Sequence, residues 1–435
     1  MSRGIAYIIL TGKHIAPFDD AIGDVLLNQK PLAVRQREAL SELGFEIRYI
    51  SREEEIRSED YPCLLLTDDL YFNAATLHEF LRLSQHASGP TQCATPKDTA
   101  FSKIFTCFQD EDSPDLNRFP LYHLKEPGHA EPAVTVIDIV ERQIPFYIPA
   151  HMRGAAETVL PMSPRPLMQL SHAIDILLAN VACLNVRFAD VLSSLVRRTL
   201  LVVRTGSLQP ARLLSSMNQI GSGCEIHPTA CLEGAEIGSN VRIGANTVIR
   251  MSNIGDGCQI GDGSVVKHSV VGEGSVLFDD LTLGFAVCYP ETFLIHGPYH
   301  LSLFGRASAM FATILDDFRL DGKPIRLEIN GKLVAHPFPF IGSFIGHRTR
   351  VAGGSIIGPG RTIPNDLLIF PSPGEVLSRI PDNLPRGVPL FIHNGGLVQS
   401  VDDISKEGGH KEIREQDDRE PSETWRRLSM SAEQR

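Results

Sequence analysis

The aliphatic residues between 220 and 283 fall on a grid with a period of seventeen. One column reads Ile220, Ile237, Ile254, Val271. A second, six residues on, reads Ile226, Ile243, Ile260, Leu277, and a third reads Leu232, Ile249, Val266, Leu283. Helices and strands repeat every 3.6 and 2 residues and do not generate such a grid. Three aliphatic positions per turn describe a triangular parallel β-helix, with one side chain from each short face pointing into the bore. The first column is followed by Gly221, Gly238, Gly255 and Gly272, which read as corners where the missing Cβ eases the turn. Ala230, Thr247 and Ser264 are small enough for the tight bends. A period of seventeen rather than eighteen leaves one face a residue short.

Upstream the pattern changes. Ile5–Leu10, Glu46–Ile50, Cys63–Leu66 and Ala133–Val140 read as strands, and Leu32–Leu43 and Ala74–Leu83 as helices, the first closed by Gly44. Strands alternating with helices predict an α/β domain over 1–165, with a mostly parallel sheet covered on both faces. Residues 88–120 are polar and contain prolines, and read as a long loop. Residues 166–215 read as a helical bridge with a break at Gly206. The β-helix then occupies 216–398 and is interrupted over 285–340, where the hexads lapse. They return as Ile345, Val351, Ile357 and Ile363. Inside the interruption Asn330-Gly331 predicts a hairpin between 325–329 and 332–334. An insertion in a solenoid falls on one side and often carries binding function. Residues 399–435 are charged and read as a disordered tail, with Trp425 beside Arg426 and Arg427.

Composition narrows the function. A net charge of −11 over 435 residues argues against a nucleic-acid partner. No apolar run approaches the roughly 18 residues of a membrane span, and the N-terminus lacks a signal-peptide pattern. The eight cysteines form no C-x-x-C pair and no zinc spacing, so they read as reduced thiols of a cytoplasmic protein.

Three stretches carry a resemblance. They are Leu26-Leu27-Asn28-Gln29-Lys30-Pro31-Leu32, the strand Leu65-Leu66-Thr67-Asp68-Asp69, and Ala173-Ile174-Asp175-Ile176-Leu177-Leu178-Ala179-Asn180. Their order, with a β-helix downstream, resembles the bifunctional sugar-1-phosphate nucleotidyltransferases that end in a left-handed β-helix acyltransferase domain. The likeness is to the N-acetylglucosamine-1-phosphate uridylyltransferase type. It implies a Rossmann-type nucleotidyltransferase-like domain, a left-handed parallel β-helix of hexapeptide repeats, and a homotrimer. It also implies Mg²⁺ at Asp68 and Asp69, and phosphate contacts from Gly12 and Lys13. The family's Gly-Thr-Arg phosphate loop corresponds here to Thr11-Gly12-Lys13-His14, without the arginine and with Asp19 and Asp20 where phosphates would approach. The nucleotidyl site therefore reads as degenerate, since phosphoryl transfer depends on positioning and charge neutralisation.

In the β-helix half, Pro298-Tyr299-His300-Leu301 is similar to the family stretch that supplies a histidine base for acyl transfer from acetyl-CoA or another acyl-CoA. His296 stands as an alternative base or a partner. Lys323 and Arg326 match a cationic pair that would hold a sugar phosphate or the CoA pyrophosphate. An apolar run at 337–341 replaces two of the family's basic residues. Cys224 and Cys258 read as small core residues. Three functions remain open: a transferase acting on sugar phosphates or nucleotide sugars through the β-helix, a nucleotidyltransferase with altered phosphate handling, and a catalytically degenerate nucleotide-sugar-binding or scaffold protein.

Overall fold

The computed structural model describes residues 4–109, 113–128, 131–146, 158–377, 380 and 390–398. The tail expected over 399–435, including Trp425, lies outside the described residues. The chain divides into a unit spanning Met1–Phe370 and a second spanning Pro371–Arg435. The α/β region and the stacked coils thus share one compact unit.

The N-terminal sheet has six strands: β1 (Ile5–Ile9), β2 (Glu46–Ile50), β3 (Cys63–Thr67), β4 (Thr91–Pro96), β5 (Leu116–Leu124) and β6 (Ala133–Val136). Their spatial order is β6-β4-β5-β3-β1-β2, and only β5 runs antiparallel to its neighbours. Helices α1 (Leu32–Glu42) and α2 (Ala74–Ser84) lie where the apolar spacing placed them. Asn73 caps α2 by accepting from Thr76 N at 2.9 Å. The loop expected over 88–120 is instead β4, the short helix α3 (Ala100–Phe105) and the start of β5. Two features hid it. Its inward positions include the buried polar residues Thr91, Thr95 and Asn117. Its Pro120 sits where the β4–β5 register shifts between Arg118 and Tyr122, a bulge that tolerates a residue without an N–H.

The bridge is helical with one exception. Leu167–Gln169 pairs antiparallel with Leu70–Phe72 before α4 (Ala173–Ser193) begins. Helices α5 (Leu195–Thr205) and α6 (Pro210–Ser215) follow, and Gly206 ends α5 at φ 60°. The resembling stretch in α4 has a structural task. Asp175 accepts from Ser171 N and His172 N at 2.9 Å each and caps the helix. Asn180 accepts from Asn28 N at 2.6 Å and donates to Leu26 O at 2.9 Å, which fixes the Leu26–Asn28 turn.

Beyond residue 218 the chain forms stacked parallel strands in the arrangement of a parallel β-helix. Ile237 pairs with Ile254 and Ile254 with Val271, one directly above the other. The first and second stacks each hold eight strands, and the third holds five before a shorter pair closes it. Ile254, Val266, Val271 and Leu283 are fully buried. Thr247 and Ser264 bury their hydroxyls at the bends and donate to Gly261 O and Phe278 O at 2.9 and 3.0 Å, carbonyls of the next coil. The glycine column has a different cause from the one expected. None of Gly221, Gly238, Gly255 and Gly272 has positive φ. A Cβ on Gly221 would lie 2.5 Å from Gly238 O, and one on Gly272 would lie 2.5 Å from Pro290 N. Close approach of successive coils excludes the side chain.

The interruption is shorter than the expected 285–340. Strands continue in the same stacks through Val287–Cys288, Phe293–Ile295, Tyr299–His300, Leu303–Phe304 and Ala309–Phe311, and Ile314–Leu315 then pairs with Ile356–Ile357 as the shorter pair. The chain leaves the coils only between Leu315 and Phe344. There it forms the expected hairpin, Arg326–Ile329 against Lys332–Ala335. The stacks end at Leu368–Ile369, short of the expected 398. In the second unit the described hairpin pairs Phe391–His393 with Gly396–Val398.

Candidate functional site

Two places matter: the strand tips of the N-terminal sheet and the third face of the coils. At the strand tips Asp68 and Asp69 follow β3 and are both buried. Asp68 Oδ1 accepts from Thr11 N at 3.1 Å and Thr11 Oγ1 at 2.7 Å. Asp69 accepts from Thr67 Oγ1 at 2.5 Å, from Gln169 Nε2 at 3.0 Å and from Lys13 Nζ at 2.5 Å. The lysine that resemblance assigns to a phosphate is thus bound to the aspartate that resemblance assigns to a metal. Gly12 is exposed with φ 64°. Mg²⁺ prefers several open oxygen ligands. Here both Asp69 oxygens are already engaged, and among the described residues no group of three or more His, Cys, Asp or Glu could hold a metal ion. The donor set does not fit the ion.

The rest of the expected phosphate loop is tied to the coils. Residues 14–21 form a small hairpin, His14–Ile15 against Asp20–Ala21. At its tip the Phe18 ring stacks on Tyr289 at 5.0 Å and on His347 at 4.6 Å between centroids. Asn365 donates to Phe18 O at 2.9 Å. His347 Nδ1 accepts from Arg306 N at 2.8 Å, which leaves the proton on Nε2 for Asp20 at 3.1 Å. Leu26 N donates to Tyr289 Oη at 3.0 Å, and burial pushes the Tyr289 phenol well above its usual pKa. Asp20 would repel a phosphate, and instead it accepts a hydrogen bond from a partner on the coils.

On the third face the arrangement is open. His300 ends the strand Tyr299–His300, with Tyr299 buried in the bore and His300 alternating outward. Its ring lies over Gly284, where a Cβ would come within 2.6 Å of Cδ2. His300 Nδ1 lies 3.1 Å from Asp317 Oδ2, and the histidine side chain is 41 % exposed. A carboxylate at Nδ1 holds the imidazole in the tautomer that leaves a lone pair on Nε2. Asp317 was missed from sequence. It lies seventeen residues beyond His300, where the coils have shifted to a spacing of sixteen, so the repeat does not point to it.

The other expected residues are scattered by comparison. Lys323 is exposed, 4.0 Å from Asp321. Asp321 is clasped by Arg319, which with neighbouring donors holds its carboxyl down at about 2. Arg326 is exposed at the start of the hairpin, and its carbonyl accepts from Arg361 Nη2 at 3.1 Å. No described hydrogen bond or ion pair joins either cation to His300. His296 is exposed on the preceding corner with φ 53°. Cys258 is fully buried in the bore, its thiol pushed up to about 11 by burial, and unsuited to act as a nucleophile. No family model and no curated protein matches the chain. Among the described residues no single helix is long and apolar enough to cross a membrane.

Proposed function

We propose that the chain is an acyltransferase-type transferase whose reaction takes place on the coils, with His300 as general base and Asp317 as the group that positions it. The acceptor is the amine or hydroxyl of a sugar phosphate or nucleotide sugar, and the donor is acetyl-CoA or another acyl-CoA. As the acceptor attacks the thioester carbonyl, Nε2 of His300 takes its proton. The C–N or C–O bond forms, the C–S bond breaks, and the CoA thiolate recovers the proton from the imidazolium. Asp317 stabilises that cation. Lys323 and Arg326, free of tight ion pairs, supply positive charge for a phosphate or the CoA pyrophosphate.

The observation that carries this reading is the 3.1 Å contact between His300 Nδ1 and Asp317 on an accessible face. We read the coils as left-handed, in line with the resemblance, and as trimeric. Exposed Phe278 and Phe311 flank Phe293, with centroid separations of 6.3 and 5.7 Å, and give a neighbouring copy an apolar surface. We place the protein in the cytoplasm, where its eight free cysteines stay reduced. A second reading, a catalytically degenerate nucleotide-sugar-binding or scaffold protein, draws on one observation: the expected phosphate loop is spent on Tyr289 and His347.

The test is CoA release from acetyl-CoA with a panel of amino-sugar phosphates. His300→Ala should lower the rate by about 10²–10⁴-fold with the melting temperature unchanged. Asp317→Asn should lower it less and shift the pH profile. Full turnover by His300→Ala would remove the residue from the site.

A further inference from the structure

Helix α5 packs against α4 and α6 but leaves most of its surface exposed. It turns by 79° from α4 at Ser194, and where α4 is largely buried, α5 has no buried residue. Leu195, Val196, Leu200 and Val203 are 72, 68, 62 and 74 % exposed. With Thr199 they share one arc of the helix. Leu208 continues the apolar line beyond the Gly206 cap and is also exposed. Arg198 lies along one edge of the arc, and Arg197 and Arg204 along the other; all three are exposed. Arg197 pairs with Asp190 at the base.

Charge distinguishes what this arc meets. Residues 191–224 contain Arg197, Arg198, Arg204 and Arg212 and no Asp or Glu, in a chain of net charge −11. Aliphatics edged on both sides by guanidiniums match an acyl layer bounded by phosphate headgroups. Arginine stems reach outward to the phosphates while the aliphatics enter the hydrocarbon boundary. We propose that α5 lies in the plane of an anionic lipid bilayer and anchors the protein peripherally, without spanning it. This inference does not depend on the chemistry assigned to His300. A cytoplasmic leaflet carries the required negative surface charge.

The experiment is flotation of the full chain with phosphatidylcholine–phosphatidylglycerol vesicles against phosphatidylcholine vesicles. The wild type should float with the anionic vesicles, stay behind with the neutral ones, and be released by salt. Leu200→Glu/Val203→Glu and, separately, Arg198→Glu/Arg204→Glu should each lower the bound fraction at least about tenfold. Their melting temperatures should match the wild type, because the replaced side chains are exposed. Failure of the wild type to float with anionic vesicles would overturn the proposal. So would dissociation of a wild-type oligomer by Leu200→Glu/Val203→Glu in light scattering, since a second copy would then cover the helix.

Discussion

The strand tips of the α/β sheet and the third face of the coils hold similar side chains in opposite circumstances. Asp69 and Lys13 are a carboxylate and a cation that satisfy each other in a buried corner. His300 and Asp317 also bond, but the histidine side chain is 41 % exposed and its second ring nitrogen has no described hydrogen bond. Asp20 and His347 form a third such pair, buried on the histidine side beneath the Phe18 stack. A polar group whose partners are all internal contributes to stability, and one with a free valence can take part in chemistry. By that measure the hairpin at residues 14–21 is a clamp between the α/β region and the coils, and the third face of the coils is where a polar pair stays accessible.

If this contrast is right, substitutions at the clamp should act on stability and those at the open face should not. The largest effect is expected from Phe18→Ala, which empties a buried stack between two regions and should cost about 3–5 kcal/mol by denaturant unfolding. An unchanged midpoint would mean that the loop is not a clamp.

Acid should reveal a second closed contact. His336, in the insertion, is buried edge-on to Phe108, with Nδ1 accepting from Phe338 N at 3.1 Å. Burial pushes its pKa from 6.5 down to about 4. The unfolded chain therefore binds a proton that the folded chain refuses. The stabilisation is full above pH 6.5 and falls as pH drops towards 4, by about 3 kcal/mol at most. His336→Phe should flatten that slope in melts recorded across this range.

Lys13→Met should cost about 2 kcal/mol, because it leaves Asp69 buried without its cation while Lys13 itself is partly exposed. Lys13→Met/Asp69→Asn should recover much of the loss. Lys323→Ala should change stability by no more than about 0.5 kcal/mol, yet raise the KM for a phosphorylated acceptor.

The sequence disclosed these regions unevenly. The ladder from Ile220 to Leu283 was legible because every coil repeats the same residue types at the same interval. It was lost after Leu283 for two reasons. Cys288, Tyr299, Phe304 and Met310 replace aliphatics, and Leu283 pairs with Tyr299, Cys288 with Phe304 and Leu294 with Met310, each sixteen residues on. The β4 and β5 strands were hidden by buried threonines and a proline at a bulge. His300 was singled out by its local stretch, Pro298-Tyr299-His300-Leu301. Asp317 was not, because an outward acid breaks no hydrophobic pattern. The clamp was beyond sequence altogether, since nothing local to Asp20 points to a histidine 327 positions away.

The most direct test of the contrast is a ligand melt of the full chain, with acetyl-CoA on one side and UTP, dTTP and GTP with Mg²⁺ on the other. A ligand bound only by the folded state raises the melting temperature. Acetyl-CoA should raise it in the wild type, and the nucleotides should leave it unchanged. A rise with a nucleoside triphosphate and none with acetyl-CoA would contradict the account.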